Sequence, residues 1–270
     1  MFFRLVTAVL LVMSSLPAWA EVPKRIVSLK PSITDTIYAL GIGDRLVGVT
    51  KYCEVPEGKP HPKIAADYTR PYTERVIALM PDVVLGSEEN SSRRSIEALR
   101  RAGIRVELFP FTTLAETLGS IEQMAELFGV HERGKRLRLE MKAALEGLRR
   151  RGEHRRAVVV WGLRPMVIAG PGGYMDEAME YIGLENAVGS VNVRYPKIGL
   201  EQLIGLDPDV IVDLSMDVGD GATSERPWDG ITVIKAVREG RVVSMEPAAF
   251  RAGPNLPKGL RRLAKGIYGD

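Results

Sequence analysis

The chain has 270 residues, of which 45% are hydrophobic and 26% charged, with a formal net charge of +3. That length supports one large or two modest cores, and the composition excludes a disordered or fibrous chain. The near-balanced charge lacks the strong basic stripe of a nucleic-acid binder, so no nucleic-acid partner is expected.

Residues 1–20 begin with a basic start at Arg4, continue with a dozen nearly unbroken apolar residues and end Ala18-Trp-Ala20. This is the pattern of a secretory signal cleaved after Ala20, and the run falls short of the ~20 residues a membrane span needs. Removing it takes away only Arg4 among charged residues and leaves +2. A soluble exported protein with no cysteine at the cleavage point fits the periplasm of a two-membrane bacterium.

In chain order, residues 25–29 predict a first strand, and a helix follows to Leu40 with Ser32 as N-cap and Asp35 three positions on. Residues 46–49 form a short strand. Residues 50–73 have little pattern, with several prolines and the aromatics Tyr52, Tyr68 and Tyr72; a stretch this long points to a functional loop. A helix over 74–80, a strand over 83–86, a helix over 92–102 and a strand over 104–109 follow. Thr113-Leu-Ala-Glu116 is a capping box that opens a helix to Phe128. Residues 131–151 place apolar side chains on one stripe and charge elsewhere, a helix of about 30 Å. Beyond it come strands over 157–161 and 166–169, a glycine cluster at Gly170-Pro-Gly-Gly173 that reads as a turn, and a helix over 175–182. Residues 213–228 are irregular. A helix over 231–237, a strand over 242–245 and a helix over 257–268 complete the chain.

The halves on either side of the central helix repeat each other. Glu74-Arg-Val-Ile-Ala-Leu-Met-Pro-Asp-Val-Val-Leu85 matches Glu201-Gln-Leu-Ile-Gly-Leu-Asp-Pro-Asp-Val-Ile-Val212. Each reads as a short helix, a Pro-Asp turn and a buried strand. Arg25-Ile-Val-Ser-Leu29 precedes the first copy by 49 positions, and Arg156-Ala-Val-Val-Val160 precedes the second by 45. Ordered matches of this kind imply two related lobes. The expected organisation is a signal over 1–20, an N-terminal α/β lobe over 21–128, a connecting helix over 129–151 and a C-terminal α/β lobe over 152–270. Both lobes alternate strands with helices, so mostly parallel Rossmann-like sheets are expected, with a ligand cleft between lobes at the carboxyl ends of the strands.

The residues that follow strands are the cleft candidates: Tyr52, Tyr68, Arg70 and Tyr72, then Trp161, Arg164, Tyr195, Trp228 and Arg251. Aromatics with a few arginines suit a bulky, partly flat ligand with polar or anionic groups; a packed core is the lesser alternative for Trp161 and Trp228. Cys53 is alone, so it forms no intrachain disulfide and reads as a small buried apolar residue. His61, His131 and His154 show no ligand spacing, so no protein metal site and no cofactor are expected. No nucleophile elbow or triad order is present, so the chain is not expected to be an enzyme. A periplasmic sensor or scaffold subunit is the alternative class, and a monomer is the default.

The stretches Arg25-Ile-Val-Ser-Leu-Lys-Pro-Ser-Ile-Thr34, Leu46-Val-Gly-Val-Thr-Lys-Tyr-Cys-Glu-Val-Pro56, both repeat copies and Arg251-Ala-Gly-Pro254 resemble the periplasmic substrate-binding proteins of bacterial ABC importers that join two α/β lobes by one long helix. The resemblance runs from about Lys24 to Tyr268. That family binds cobalamin, ferric siderophores or haem, and the cobalamin binders are most similar over residues 50–85. The resemblance implies that Tyr52, Tyr68, Trp161, Tyr195 and Trp228 line a corrinoid pocket. Tyr68 and Tyr195 stand where that group has tryptophans, and Ser87 where another tryptophan is expected. It also implies that Glu74 and Glu201, one per lobe, dock onto arginines of a membrane permease driven by a separate ATPase. An iron chelate remains the alternative ligand. Tyr52, Tyr68 or Tyr72 would then ligate haem iron, or Arg70, Arg164, Arg194 or Arg251 would pair with siderophore carboxylates.

Overall fold

The computed structural model describes residues 21–67, 70–88, 92–150, 152, 154–189, 191–215 and 226–269. The segment 1–20 expected to be a signal, Tyr68 and Arg151 lie outside these residues. Among the described residues no helix is long and apolar enough to cross a membrane.

Aliphatic runs too uniform for one-sided strands build two sheets buried on both faces. The first contains β1 (Ile26–Ser28), β2 (Leu46–Thr50), β3 (Lys63–Ala66), β4 (Val83–Ser87) and β5 (Val106–Phe109). Their order is β3-β2-β1-β4-β5, and every pairing is parallel. The edge strand β3 falls in the stretch read from sequence as an unpatterned loop. Lys-Ile-Ala-Ala carries no alternation, and its pairing with β2 only becomes visible in three dimensions.

Helices α1 (Pro31–Ala39), α2 (Thr73–Ala78), α3 (Arg93–Arg101) and α4 (Leu114–Leu127) accompany the first sheet. Helix α1 starts differently from expectation: Lys30 is its N-cap and Pro31 its first residue, so Ser32 lies inside the helix, buried. Proline is favoured there because its missing N–H would have had no partner. The capping box of Thr113 and Glu116 forms as expected.

The central helix α5 (His131–Glu146) has 16 residues, shorter than its sequence pattern. Gly147 caps it, and the following chain turns so that Arg150 N donates to Tyr181 O at 3.0 Å. Its start is tied to the first lobe by Arg133 Nη1, which donates to Leu40 O at 3.1 Å. Gly134 lets α5 approach α4 closely: a Cβ there would lie 2.2 Å from Ala125 Cβ.

The second sheet comprises β6 (Arg155–Leu163), β7 (Met166–Ile168), β8 (Leu184–Asn186), β9 (Lys197–Ile198), β10 (Val210–Asp213) and β11 (Val242–Ser244). Strands β8, β6, β10 and β11 are parallel neighbours, whereas β7 pairs antiparallel with both β6 and β9. Helices α6 (Tyr174–Tyr181), α7 (Leu200–Leu206), α8 (Lys235–Arg238) and α9 (Leu256–Tyr268) complete this half. Helix α8 is much shorter than the 231–237 expected.

Side chains alternate strictly. Ile26, Val83 and Leu85 join Ala157, Val159, Val210 and Val212 in one continuous core with α1, α4, α5, α6 and α9. Val27 and Val84 face α2 and α3. Val158, Val160 and Ile211 face a third cluster with Leu203 of α7 and Ala236 of α8. The two sheets therefore share a helical layer between them.

Candidate functional site

In open parallel sheets the loops diverge where strand order reverses, leaving a crevice at the carboxyl ends. In the first sheet this point lies between β1 and β4. Lys30, just past β1, donates from Nζ to Ser87 Oγ at the end of β4 at 3.2 Å, and its ammonium lies 4.7 Å from the Phe111 ring. Beside it, Thr34 Oγ1 donates to Ser28 Oγ at 2.8 Å. Cys53 Sγ sits 3.0 Å from Thr34 Oγ1 and 3.2 Å from Thr50 Oγ1. Cys53 is buried as expected, but in a hydroxyl pocket; that burial pushes its thiol pKa upward.

Tyr52 follows β2 and is 38% exposed, with the Lys51 ammonium 5.0 Å from its ring. Lys51 also pairs with Asp67 at 3.2 Å. Arg70 is exposed, and its carbonyl accepts from Asp67 N at 2.9 Å. Tyr72 is half-buried; Arg75 covers its ring at 4.9 Å, and its N–H donates to Ala65 O. Tyr72 thus anchors the start of α2 against β3.

In the second sheet the reversal lies between β6 and β10. Trp161, in β6 just past that pairing, is partly buried, and its Nε1 has no hydrogen-bond partner among the described residues. Asp213, at the end of β10, accepts from Ser215 N at 2.9 Å and from Ser215 Oγ. Its Oδ2 lies 3.2 Å from Arg226 Nη1, close enough for an ion pair but misaligned for a hydrogen bond. Tyr195 is 52% exposed, on a loop beside the β6–β7 hairpin. That loop is held by Gly170 N, which donates to Arg194 O at 2.7 Å. Only glycine fits, since a Cβ at Gly170 would lie 2.0 Å from Val193 O. Arg164 and Arg194 are both exposed.

Two candidates are placed differently from expectation. Trp228 is fully buried in the outer core with Val158, Val160 and Ile211, so it presents no surface to a ligand here; its bulk fills the space under α8. Arg251, expected to face a ligand carboxylate, is instead engaged across the lobe boundary. Its Nη2 donates to Tyr52 O at 2.9 Å, and its Nη1 lies 3.7 Å from Asp35 Oδ2. Tyr52 and Arg251 are thus brought together, whereas Tyr72 and Trp228 belong to local packing. Sequence reasoning missed Lys30, Phe111 and Asp35. The signal available for Lys30 was its place immediately after the first strand.

Burial pushes the Asp35 carboxyl up to about 6, against the opposing pull of Arg251. Two further contacts cross between the halves: Tyr174 N donates to Thr112 O at 2.6 Å, and Leu114 N to Glu177 Oε2 at 2.8 Å. Glu74 and Glu201 are both exposed, each the second residue of its helix, α2 and α7. His61, His131 and His154 are exposed, and no cluster of metal-ligating side chains occurs among the described residues.

The model of the family described as periplasmic binding protein matches residues 26–249. An uncharacterized ABC transporter substrate-binding lipoprotein of Bacillus subtilis is 31% identical, covering 92% of this chain and 81% of its own length. A vitamin B12-binding protein of Yersinia pseudotuberculosis is 27% identical over 76% of this chain and 74% of its own. Among solved structures, a periplasmic heme binding protein from Pseudomonas aeruginosa superposes with a TM-score of 0.81 at 24% identity, covering 92% of this chain and 94% of its own. The periplasmic vitamin B12 binding protein of Vibrio cholerae gives 0.77 at 22%, with 91% and 97% covered. Two lobes, a shared helical layer and a family match over most of the chain lead to one conclusion: this protein belongs to the periplasmic binding protein family, a class that captures solutes rather than transforming them.

Proposed function

We propose that this chain captures a bulky metal chelate, first of all cobalamin or another corrinoid, and delivers it to an ABC permease and its ATPase in the inner membrane. The observation that carries the reading is the pair of exposed phenols at the two sheets' loops, Tyr52 and Tyr195, within a two-lobed binding-protein fold. Flat aromatic surface on both sides of a junction suits a large planar macrocycle. The curated relatives named as vitamin B12-binding proteins support the corrinoid choice. In this reading Arg70, Tyr68 and Trp161 flank the ligand, residues 21–128 and 152–270 act as lobes around the 129–151 segment, and residues 1–20 direct export. The mature chain acts as a monomer.

A second ligand, haem, is favoured by the same two phenols, since a tyrosinate oxygen suits ferric iron. Calorimetric titration of the mature chain with cyanocobalamin, haemin and ferric siderophores distinguishes them. One-to-one cobalamin binding is expected; silence toward every chelate would move the protein to a sensor or scaffold role.

Glu74 and Glu201 are read as the permease contacts, one carboxylate per lobe giving register and steering. Combined Glu74→Ala and Glu201→Ala replacement is expected to abolish uptake while ligand affinity stays unchanged. Uptake at the normal rate would end that assignment.

A further inference from the structure

Arg251 belongs to the second half of the chain, directly after the 3-10 turn Pro247–Phe250, yet its guanidinium reaches into the first. Its Nη2 donates to Tyr52 O at 2.9 Å and lies 3.5 Å from Glu54 Oε1, while Nη1 lies 3.7 Å from Asp35 Oδ2. The Arg251 side chain is 20% exposed and that of Asp35 8%, so this charge pair is weakly screened by solvent. Both ends are fixed. Tyr174 Oη donates to Phe250 O at 3.1 Å and holds the turn that carries Arg251. At the other end, the Tyr52 loop is attached to α1 through the Cys53 and Thr34 contact. A rigid guanidinium fork directs five donors in fixed directions and meets a carbonyl and two carboxylates at once, whereas an ammonium offers three donors from a single nitrogen on a flexible stem.

We propose that Arg251 is a positioning residue for ligand capture: it clamps the Tyr52 loop of the first lobe to the second lobe through Tyr52 O, Glu54 and Asp35, and holds the Tyr52 ring at the lobe junction without itself touching the ligand. The ligand part of this assignment rests on the chelate-capture reading above. The clamp itself does not. With it released, the loop loses its tie to the second lobe and stays attached to the first through contacts such as Cys53 to Thr34 and Lys51 to Asp67, so bound chelate escapes faster while its entry is unaffected.

The clamp also has a pH signature. The groups facing Asp35 are Arg251 and Asn255 from the segment before α9, with Glu54 and Cys53 from the Tyr52 loop. Protonating Asp35 removes one of the two charges opposite Arg251, so the loop loosens as pH falls through about 6.

The test uses the mature chain and the variants Arg251→Lys, Arg251→Ala and Asp35→Asn. Amide exchange of the Tyr52–Glu54 segment, corrected for intrinsic rates, is followed from pH 5 to pH 8 without ligand. Stopped-flow rates are then measured for cyanocobalamin and haemin. Arg251→Ala is expected to speed exchange of that segment about tenfold, the scale of one charged hydrogen bond, with α9 unaffected. Arg251→Lys should fall between it and the wild type, and Asp35→Asn should flatten the pH profile. For ligand, dissociation should rise about tenfold with association within about twofold. Unchanged exchange in Arg251→Ala, or a wild-type pH profile in Asp35→Asn, would overturn the clamp. A slower association rate with unchanged dissociation would mean that Arg251 steers the ligand's entry instead of holding the loop, and would overturn the positioning role. Failure of the wild-type chain to bind any chelate would instead refute the capture reading, and the exchange measurement would still decide the clamp.

Discussion

The two lobes close their helix-to-strand turns with the same device. In the first, Arg25 at the head of β1 donates from Nη2 to Leu79 O at 2.7 Å, and its backbone N–H reaches Asp82 Oδ2 at 2.9 Å. In the second, Arg156 donates from Nη1 to Leu206 O at 3.0 Å, and its N–H reaches Asp209 Oδ2 at 2.8 Å. Each arginine caps the end of a helix whose last carbonyls lack partners, and each aspartate receives the strand that begins beside it. Even the strain is repeated: Met80 and Asp207 are the non-glycine residues with positive φ among those described, at 46° and 38°. They occupy the same place in the repeat, directly before Pro-Asp.

The lobes part at the sheet edges. The first adds β3 in parallel beyond β2, whereas the second extends β6 past β8 into an antiparallel β6–β7–β9 edge. The shared turns lie at the strand heads, away from the crevice, and the differing edges lie beside the ligand candidates. What the repeat keeps is structural; what it varies is where Tyr52 and Tyr195 are presented.

The comparison breaks most severely at Trp228, which has no equivalent aromatic in the first lobe's outer cluster. Trp228→Ala is expected to cost about 3–5 kcal/mol, measured by denaturant unfolding, with the second lobe melting first. Trp228→Phe should recover most of that loss, because the Trp228 Nε1 is buried without a partner among the described residues.

Asp35 comes next. Its folded carboxyl titrates at about 6, and an unfolded one at about 4. Between those values the folded chain holds the extra proton, so this group's contribution to stability falls as pH rises, by about 3 kcal/mol in all. Asp35→Asn is expected to remove that slope, read from unfolding midpoints at pH 4 to pH 7.

The paired turns give the third test. Asp82→Ala and Asp209→Ala should each cost about 1–2 kcal/mol in urea unfolding, since each removes a charged acceptor, from the N–H groups of Lys24 and Arg25 at Asp82 and from that of Arg156 at Asp209. Strand-head hydrogen bonds hold Asp82 below the usual carboxylate range. For Asp209, burial pushes upward, but Lys235, the Arg156 N–H and Arg241 outweigh it and the net direction is also down. Both contributions are complete above the ordinary carboxyl pKa and fade as pH drops below it.

The smallest effect separates the two strained residues. Met80→Gly relieves a left-handed backbone whose side chain is 73% exposed, and should stabilise by about 0.5 kcal/mol. Asp207→Gly relieves the same strain but forfeits the bond from Lys235 N to Asp207 Oδ1 at 2.7 Å, so thermal melting should show no gain.

Reading the chain alone recovered the repeat, because aliphatic triplets after Pro-Asp leave few local alternatives to a buried strand. It recovered the capping box at Thr113 for the same reason: both partners sit within one turn. Strand β3 is not legible in the sequence because an edge strand of Lys-Ile-Ala-Ala is defined by its neighbour, not by its own pattern. The central helix ends short of its sequence pattern because the hydrogen bond from Arg150 to Tyr181 interrupts the helical-looking stripe that charged residues after Gly147 continue.

The candidate site divides along the same line. Residue types after strands were legible, so Tyr52, Trp161 and Tyr195 could be singled out from their position alone. Whether an aromatic meets solvent or core depends on which sheet face its neighbours already fill, and that placed Trp228 inside. The partner of Arg251 was equally out of reach, because Tyr52 is 199 positions away and only the packing of two lobes brings them within 2.9 Å. Periodicity reports that a side chain is covered, whereas tertiary structure selects what covers it, since contacts between distant segments depend on the sum of many packings and not on any one stretch.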